Sequence, residues 1–312
     1  MVTSVYYHSE YEKTGYPVLK GRLAPAYAFL QKYIREHCSQ AQIAFIEPNP
    51  VDLDLLKMVH TEHHIGSVKA SGFYPSAILS AGAAVEGAAG VWKGKFDNTF
   101  VFTGTAGHHA SRDHAWGFCY FNNTALALEN LRNFGLKRFT VVDTDPHPGD
   151  GTQDCLEGTR GFQHFNFQSY GTISKAGEIW DIGLPSHCDD DSFLLAVEAI
   201  EPEIIRFSPE ILVWNIGHDA HVDDYGGFHL SLHAFPRICE RLLKIADEIC
   251  NSRFLVFLSG GSEAYVAKYS IASVVGLLSG CPTLPSIPED PTDPNDRMLR
   301  EVKGILRELG LS

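Results

Sequence analysis

Asp143, Asp145, His147 and Asp150 fall within eight residues in VVDTDPHPGDG, Val141 to Gly151, directly after an apolar run. Acids and an imidazole at that density can hold a metal ion or move protons. If strand geometry persists, Asp145 and His147 point the same way and could ligate one ion. Asp219, in GHDAH after the apolar ILVWNI, could add a third ligand. Two carboxylates, one imidazole and an open position suit a catalytic zinc ion, although such hard donors would also accept iron(II) or manganese.

His108 and His109, in TAGHHA, form a second element whose natural partners are Asp143 and Asp150. Adjacent histidines each backed by a carboxylate can differ in pKa, one ready as a base and the other holding a proton. Either element alone is weak, since a His pair is as often an exposed turn; together they describe a general acid/base pair beside a metal-activated water. The other histidines take the plainer reading. His60, His63 and His64 read as a surface cluster at helical spacing, His221 as packing behind the site, and His114 and His218 stay open. Cys119 could line a pocket, but buried cysteines are usually inert packing.

The elements that must position these residues alternate along the chain. Helical patterns cover AYAFLQKYIREHC (Ala26 to Cys38), a helix pair in VDLDLLKMVHTEHHIGSVKAS, the small-residue stretch Ser76 to Gly94, NTALALENLRNFG, FLLAVEAIEPEIIRF and AFPRICERLLKIADEIC. Strand-like runs QIAFIE, NTFVFTG, FTVVDTD, FQHFNFQ, ILVWNIG and FLVFLSGG lie among them. Alternation of this kind predicts right-handed βαβ units and an α/β fold around a mainly parallel sheet. Each chemically loaded segment follows a predicted strand: TGTAGHHASRDH, DTDPHPGDG, GHDAHVDD and SGGSEAY. Open parallel sheets bind ligands at the carboxyl ends of their strands, so four loops are expected to converge on one site.

The chain's 312 residues, 44% apolar, can bury a full core and are expected to form one domain over 1–312. No apolar run reaches the roughly 18 residues of a membrane span and no leader pattern opens the chain, so a cytoplasmic protein is expected. The seven cysteines are odd in number, scattered and never spaced CxxC, which favours reduced thiols over a disulfide framework. A net charge of −13 argues against nucleic acid as a partner. The proline-rich Cys281 to Pro294 reads as an ordered surface connection to a last amphipathic helix, NDRMLREVKGILRELG. No face for self-association stands out.

TAGHHA, WGFCYFNN, VVDTDPHPGDGTQD, GHDAH and SGG, in this order and spacing, resemble the histone deacetylase superfamily, which includes acetylpolyamine amidohydrolases and bacterial and archaeal relatives. The resemblance spans roughly residues 5 to 280. It implies the arginase/deacetylase fold, a single domain with a parallel sheet of about eight strands flanked by helices. It implies zinc on Asp145, His147 and Asp219, with iron(II) as the alternative, and His108 and His109 as the catalytic dyad with Asp143 and Asp150 as partners. Gly107, Gly117, Phe118, Gly260, Gly261 and Ser262 would shape the substrate channel. A structural potassium ion would sit near Asp143 to His147 and Asn166.

Three departures stand out. The family usually closes its last motif with a tyrosine that hydrogen-bonds the oxyanion, and Ser262 takes that place here. Tyr265, three residues on, and Tyr225, in a shortened DDYGG loop, are the candidates to replace it. Pro148 stands where relatives commonly have a second histidine, which stiffens the loop without removing a ligand. Tyr225 or Gly226 also occupies the position where acetylpolyamine enzymes place an acidic residue, which weakens a polyamine assignment. The expected activity is deacylation of a small-molecule or peptide amine such as acyl-lysine, acetylpolyamine or a related amide. The alternatives are an amide-binding homologue with little turnover and, last, an arginase-type hydrolase, which would use two metals and a DxHxD loop.

Overall fold

A computed structural model of the chain describes residues 1–38, 40–169, 171–281 and 285–311. The elements run β1 (Val2–Tyr6), α1 (Glu10–Thr14), α2 (Pro17–His37), β2 (Gln42–Ile46), α3 (Leu53–Val59), α4 (Glu62–Ala70), α5 (Tyr74–Trp92) and β3 (Asn98–Val101). They continue with α6 (Asn123–Arg132), β4 (Phe139–Asp143), α7 (Asp150–Cys155), β5 (Phe162–Ser169), β6 (Ile173–Ala176) and β7 (Ile179–Leu184). The last are α8 (Asp190–Phe207), β8 (Ile211–Ile216), α9 (Ala234–Ile249), β9 (Phe254–Leu258), α10 (Ala264–Leu278) and α11 (Asp296–Glu308).

Among the described residues one sheet of nine strands, where about eight were expected, takes the order β2-β1-β3-β9-β8-β4-β5-β7-β6. Every pairing is parallel except β6 with β7. Strands covered on both sides must be apolar on both, and alternate residues divide accordingly. Leu212, Trp214 and Ile216 of β8 and Phe254, Val256 and Leu258 of β9 enter one core with α2, α8, α9 and α10. Ile211, Val213, Leu255 and Phe257 enter the other with α3, α5 and α6.

Helix starts follow local chemistry: Asn122 accepts from Ala125 N to cap α6, Asp189 from Ser192 N to cap α8, and Thr61 from His64 N to cap α4. Helix α2 begins at Pro17, well before the expected Ala26, and carries Pro25 within it. β1, β6, β7 and α10 had not been expected. VTSVY and the segment 173–184 are short and mixed in polarity, whereas small residues in α10 blur its helical period.

Two expectations are corrected. Cys38 and Cys281 form a disulfide, because packing of α2 against α10 brings their Cα atoms to 5.2 Å across 243 residues of sequence. The other five cysteines are free and buried. His60 and His64 are buried, not on the surface. Asn122 N donates to His60 Nε2 at 3.0 Å, His60 Nδ1 bonds Ser111 O at 2.9 Å, and His64 Nε2 donates to Tyr120 O at 2.6 Å, so they pin the end of α3 and the first turn of α4 to the loop between β3 and α6. His63 remains outside.

Residues 282–284 of the proline-rich passage lie outside the described residues. Beyond them Glu289 reaches back to the buried His221, 3.2 Å from its Nε2. Among the described residues no helix is long and apolar enough to cross a membrane.

Candidate active site

The polar residues gather where the parallel strands end. Register places Asp143, last in β4, opposite Asn215 of β8 and Asn166 of β5. Asn215 Nδ2 donates to Asp143 Oδ2 at 3.0 Å, and the same oxygen accepts from His108 Nδ1 at 3.1 Å. His109 Nδ1 bonds Asp150 Oδ1 at 3.0 Å. Both imidazoles are buried, with ring centroids 3.9 Å apart. The loop carrying them is fastened by Thr152 N donating to His108 O at 3.0 Å and Asn122 Nδ2 donating to Ala110 O at 3.0 Å. Gly151 is required here, since a Cβ would strike the backbone of His109 and Ala110.

Asp145, His147 and Asp219 offer ligand atoms all within 4.8 Å of one another. His147 Nδ1 lies 2.9 Å from Asp145 Oδ1 and 3.1 Å from Asp219 Oδ2. The donor set fits a divalent cation. Two carboxylates, each 1% exposed, face each other, and Asp219 Oδ1 has no hydrogen-bond partner among the described residues. Burial and the charge of Asp145 raise the Asp219 carboxyl. Burial opposes a proton on His147, but its bonds to Asp145 and Asp219 outweigh this and lift it to about 11. That proton sits on a ligand nitrogen where a metal's charge would serve the same two acids. Gly260 leaves the room: a Cβ there would lie 2.7 Å from Asp145 Oδ2, and its N–H donates to that oxygen at 2.9 Å.

The two histidines differ electrostatically. Burial opposes a charge on His108, yet Asp145 and Asp143 lift it to about 9. Burial and the neighbouring His108 hold His109 down to about 4, against the pull of Asp150. The surroundings thus favour the charged form of His108 and the neutral form of His109.

A cavity of about 220 Å³ opens over these groups, walled by Ala106, His108, His109, Trp116, Gly117, Phe118, Asp145, His147, Asp219, Tyr225 and Gly260. Gly117 and Phe118 both take positive φ, 57° and 67°, which turns the chain across the mouth; a Cβ on Gly117 would meet the His109 ring. Phe118 and Tyr225 meet edge to face with centroids 6.2 Å apart.

Of the expected channel residues, Gly117, Phe118 and Gly260 lie on this wall. Gly107 faces Asn123, Gly261 backs onto Arg22 and His218, and Ser262 is bonded to Asp224. The two tyrosines divide. Tyr265 bonds Asp223 and approaches His221 Nδ1 at 3.5 Å, off the wall. Tyr225 is on the wall, and its hydroxyl accepts from Gly261 N at 3.1 Å.

Sequence reasoning missed two residues. Arg22 on α2 is wholly buried, donates to the carbonyls of Gly260 and Ser259, and lies 3.3 Å from His218 Nδ1. The signal was available, because Arg22 shares an apolar helix face with Leu19, Leu23 and Ala26, where a lone arginine needs a polar partner. Trp116 stacks on His109, centroids 3.6 Å apart, and its Nε1 donates to Asp150 Oδ2 at 2.9 Å. Its signal was its place at the head of WGFCYFNN, next to the expected channel residues Gly117 and Phe118.

The histone deacetylase domain profile matches residues 69–278. A probable deacetylase of Archaeoglobus fulgidus is 26% identical, over 90% of this chain and 87% of its own. A histone deacetylase-like amidohydrolase of Pseudomonas aeruginosa is 30% identical, over 75% of this chain and 70% of its own. The chain spans about half the length of plant histone deacetylases that it also matches. The crystal structure of the HDA15 HD domain superposes with a TM-score of 0.85 at 22% identity, covering 99% of this chain and 96% of that one.

Proposed function

The chain belongs to the histone deacetylase family and is a deacetylase-type hydrolase, and from that premise we propose that it removes an acyl group, most simply acetyl, from an amine with one zinc ion as cofactor. The observation that carries the reading is the convergence of the Asp145, His147 and Asp219 donors with two carboxylate-backed histidines on one cavity. Asp145, His147 and Asp219 would hold the ion. Such an ion supplies Lewis-acid charge that polarises a carbonyl oxygen and acidifies a water.

The chain's own groups do the rest. His109 keeps a ring nitrogen with no partner among the described residues, since its Nδ1 is held by Asp150, and that nitrogen takes a proton from the attacking water. Asp150 steadies the imidazolium so formed. His108, whose proton is held by Asp143, keeps positive charge beside the developing intermediate, and the dyad returns a proton to the leaving amine. The carbonyl oxygen becomes an oxyanion and needs a donor. Tyr225 supplies it: its hydroxyl accepts from Gly261 N, and its own O–H has no acceptor among the described residues. Tyr265 is committed to Asp223 and does not serve. Phe118 and Trp116 wall the slot for an acylated alkyl chain. Iron(II) in place of zinc, and a structural potassium ion near Asp143 and Asn166, are decided by metal analysis of the purified chain.

Acetate release from an acetyl-lysine peptide and from an N-acetylated diamine, by zinc-loaded chain, tests the reading. Release that stops in His109→Ala with zinc retained supports it. Tight binding of the acetylated amine without release would support the amide-binding alternative.

A further inference from the structure

Ser262, which stands where the family resemblance sets a tyrosine, is fully engaged elsewhere. Asp224 Oδ1 accepts from Ser262 Oγ at 3.0 Å, and Asp224 Oδ2 accepts from Ser262 N at 2.7 Å and from Glu263 N at 3.0 Å. Glu263 is the N-cap of α10, so one carboxylate ties the loop after β8 to the start of the helix after β9. The neighbouring residue completes the connection, with Gly261 N donating to Tyr225 Oη. Asp224 Oδ1 also accepts from Tyr225 N at 2.9 Å, which fixes the backbone from which the phenol projects. Immediately beyond, Gly226 N donates to Asp219 O at 3.0 Å.

A tyrosine on a rim loop, 45% exposed, would otherwise sample several rotamers. Stabilising an oxyanion requires a donor held in place before the charge develops. Four hydrogen bonds across the two loops meet that requirement, and three of them end on Asp224. We propose that Asp224 and Ser262 form a latch that positions the Tyr225 hydroxyl over the slot, making Asp224 a positioning residue for deacylation. The proposal rests on the reading that Tyr225 is the oxyanion donor. It gives Ser262 a role of its own: the serine anchors the loop that brings a tyrosine in from the other side.

The test uses full-length zinc-loaded chain with acetyl-lysine and trifluoroacetyl-lysine peptides. The trifluoroacetyl carbonyl is already electrophilic and depends less on an oxyanion donor. Asp224→Asn replaces one accepting oxygen with an NH2 donor that faces the same N–H and O–H donors, and its turnover on the acetyl peptide is expected to fall by about 10-fold to 100-fold with little change in KM. Turnover on the trifluoroacetyl peptide should fall far less, and Asp224→Asn combined with Tyr225→Phe should be no slower than Tyr225→Phe alone. Ser262→Ala, which keeps the main-chain bonds and so guards against misfolding, should show a smaller loss with the same substrate bias. Amide hydrogen exchange should quicken at Ser262 and Glu263 in Asp224→Asn, and at Gly261 in Tyr225→Phe.

Equal slowing on both peptides, or losses that multiply in the double variant, would overturn the positioning role. Unchanged exchange in Asp224→Asn would overturn the latch alone. Wild-type chain that hydrolyses neither peptide would overturn the deacylation reading, and the catalytic half of the proposal with it, while the exchange measurement still decided the latch.

Discussion

The indole of Trp116 lies over the imidazole of His109, ring centroids 3.6 Å apart and planes at 26°, while its nitrogen donates to the second oxygen of the carboxylate that holds His109. One side chain therefore covers the His109 ring and holds its partner Asp150. The indole also walls the slot and is 44% exposed beyond it.

Trp116→Phe keeps an aromatic ring on His109 but frees Asp150 Oδ2. Losing a hydrogen bond to a charged group costs about 2 kcal/mol, so kcat should fall by roughly 10-fold or more with KM little changed. Trp116→Ala should also raise KM, because the slot loses a wall. Steady-state kinetics of both variants decide this, and wild-type values would make the indole a bystander.

His147 and Asp219 should be needed for the metal, and His109 only for turnover. Elemental analysis of wild-type chain should find one zinc per chain, and His147→Ala and Asp219→Ala should find almost none. His109→Ala should keep the metal and lose at least about 100-fold in rate. Full occupancy in either ligand variant would remove that residue from the site.

The two tyrosines should separate cleanly. Tyr225→Phe should lose about 100-fold in turnover on an acetyl substrate. Tyr265→Phe should turn over normally and lose only the bond to Asp223, a stability effect of about 1 kcal/mol measurable by urea unfolding. The reverse pattern would exchange their roles.

Acid should destabilise the fold through histidines that burial keeps neutral. Burial and His64 hold His60 down to about 3, and burial holds His164 down to about 4, from 6.5 in each case. Because the unfolded chain then takes up protons before the folded one, stability is full above about pH 6.5 and declines as pH falls toward these values. Neither ring nitrogen of His164 has a hydrogen-bond partner among the described residues, so His164→Phe removes one such group without breaking a hydrogen bond seen there. The variant should lose about 2 kcal/mol less than wild type between about pH 7.5 and about pH 5. Equal losses would place the acid sensitivity elsewhere.

What could be read in the sequence was what local spacing determines. Asp143 ends one strand and Asp145, His147 and Asp150 follow it, so a short loop sets their relation, and the four loaded strand ends predicted a shared site at the carboxyl edge of the sheet. His108 with Asp143, and His109 with Asp150, were expected partners and lie within hydrogen-bond distance. What escaped depends on tertiary packing. Arg22 meets Gly260 only because α2 packs on α10, and the same packing joins Cys38 to Cys281. His60 and His64 looked like surface residues because their partners, Ser111, Asn122 and Tyr120, lie about fifty to sixty positions away. Tyr225 and Tyr265 could not be separated by sequence, since they lie on two different loops and only tertiary packing gives their hydroxyls different partners, Gly261 N for Tyr225 and Asp223 for Tyr265.

The central claim is that this chain is a working deacylase with its oxyanion donor moved to Tyr225. Hydrolysis of acetyl-lysine and trifluoroacetyl-lysine peptides by zinc-loaded wild-type chain, measured side by side, tests it most directly. Turnover of both at comparable rates is expected. Turnover of the trifluoroacetyl peptide alone would contradict it, showing a site in which no tyrosine has taken over from the one that Ser262 replaces.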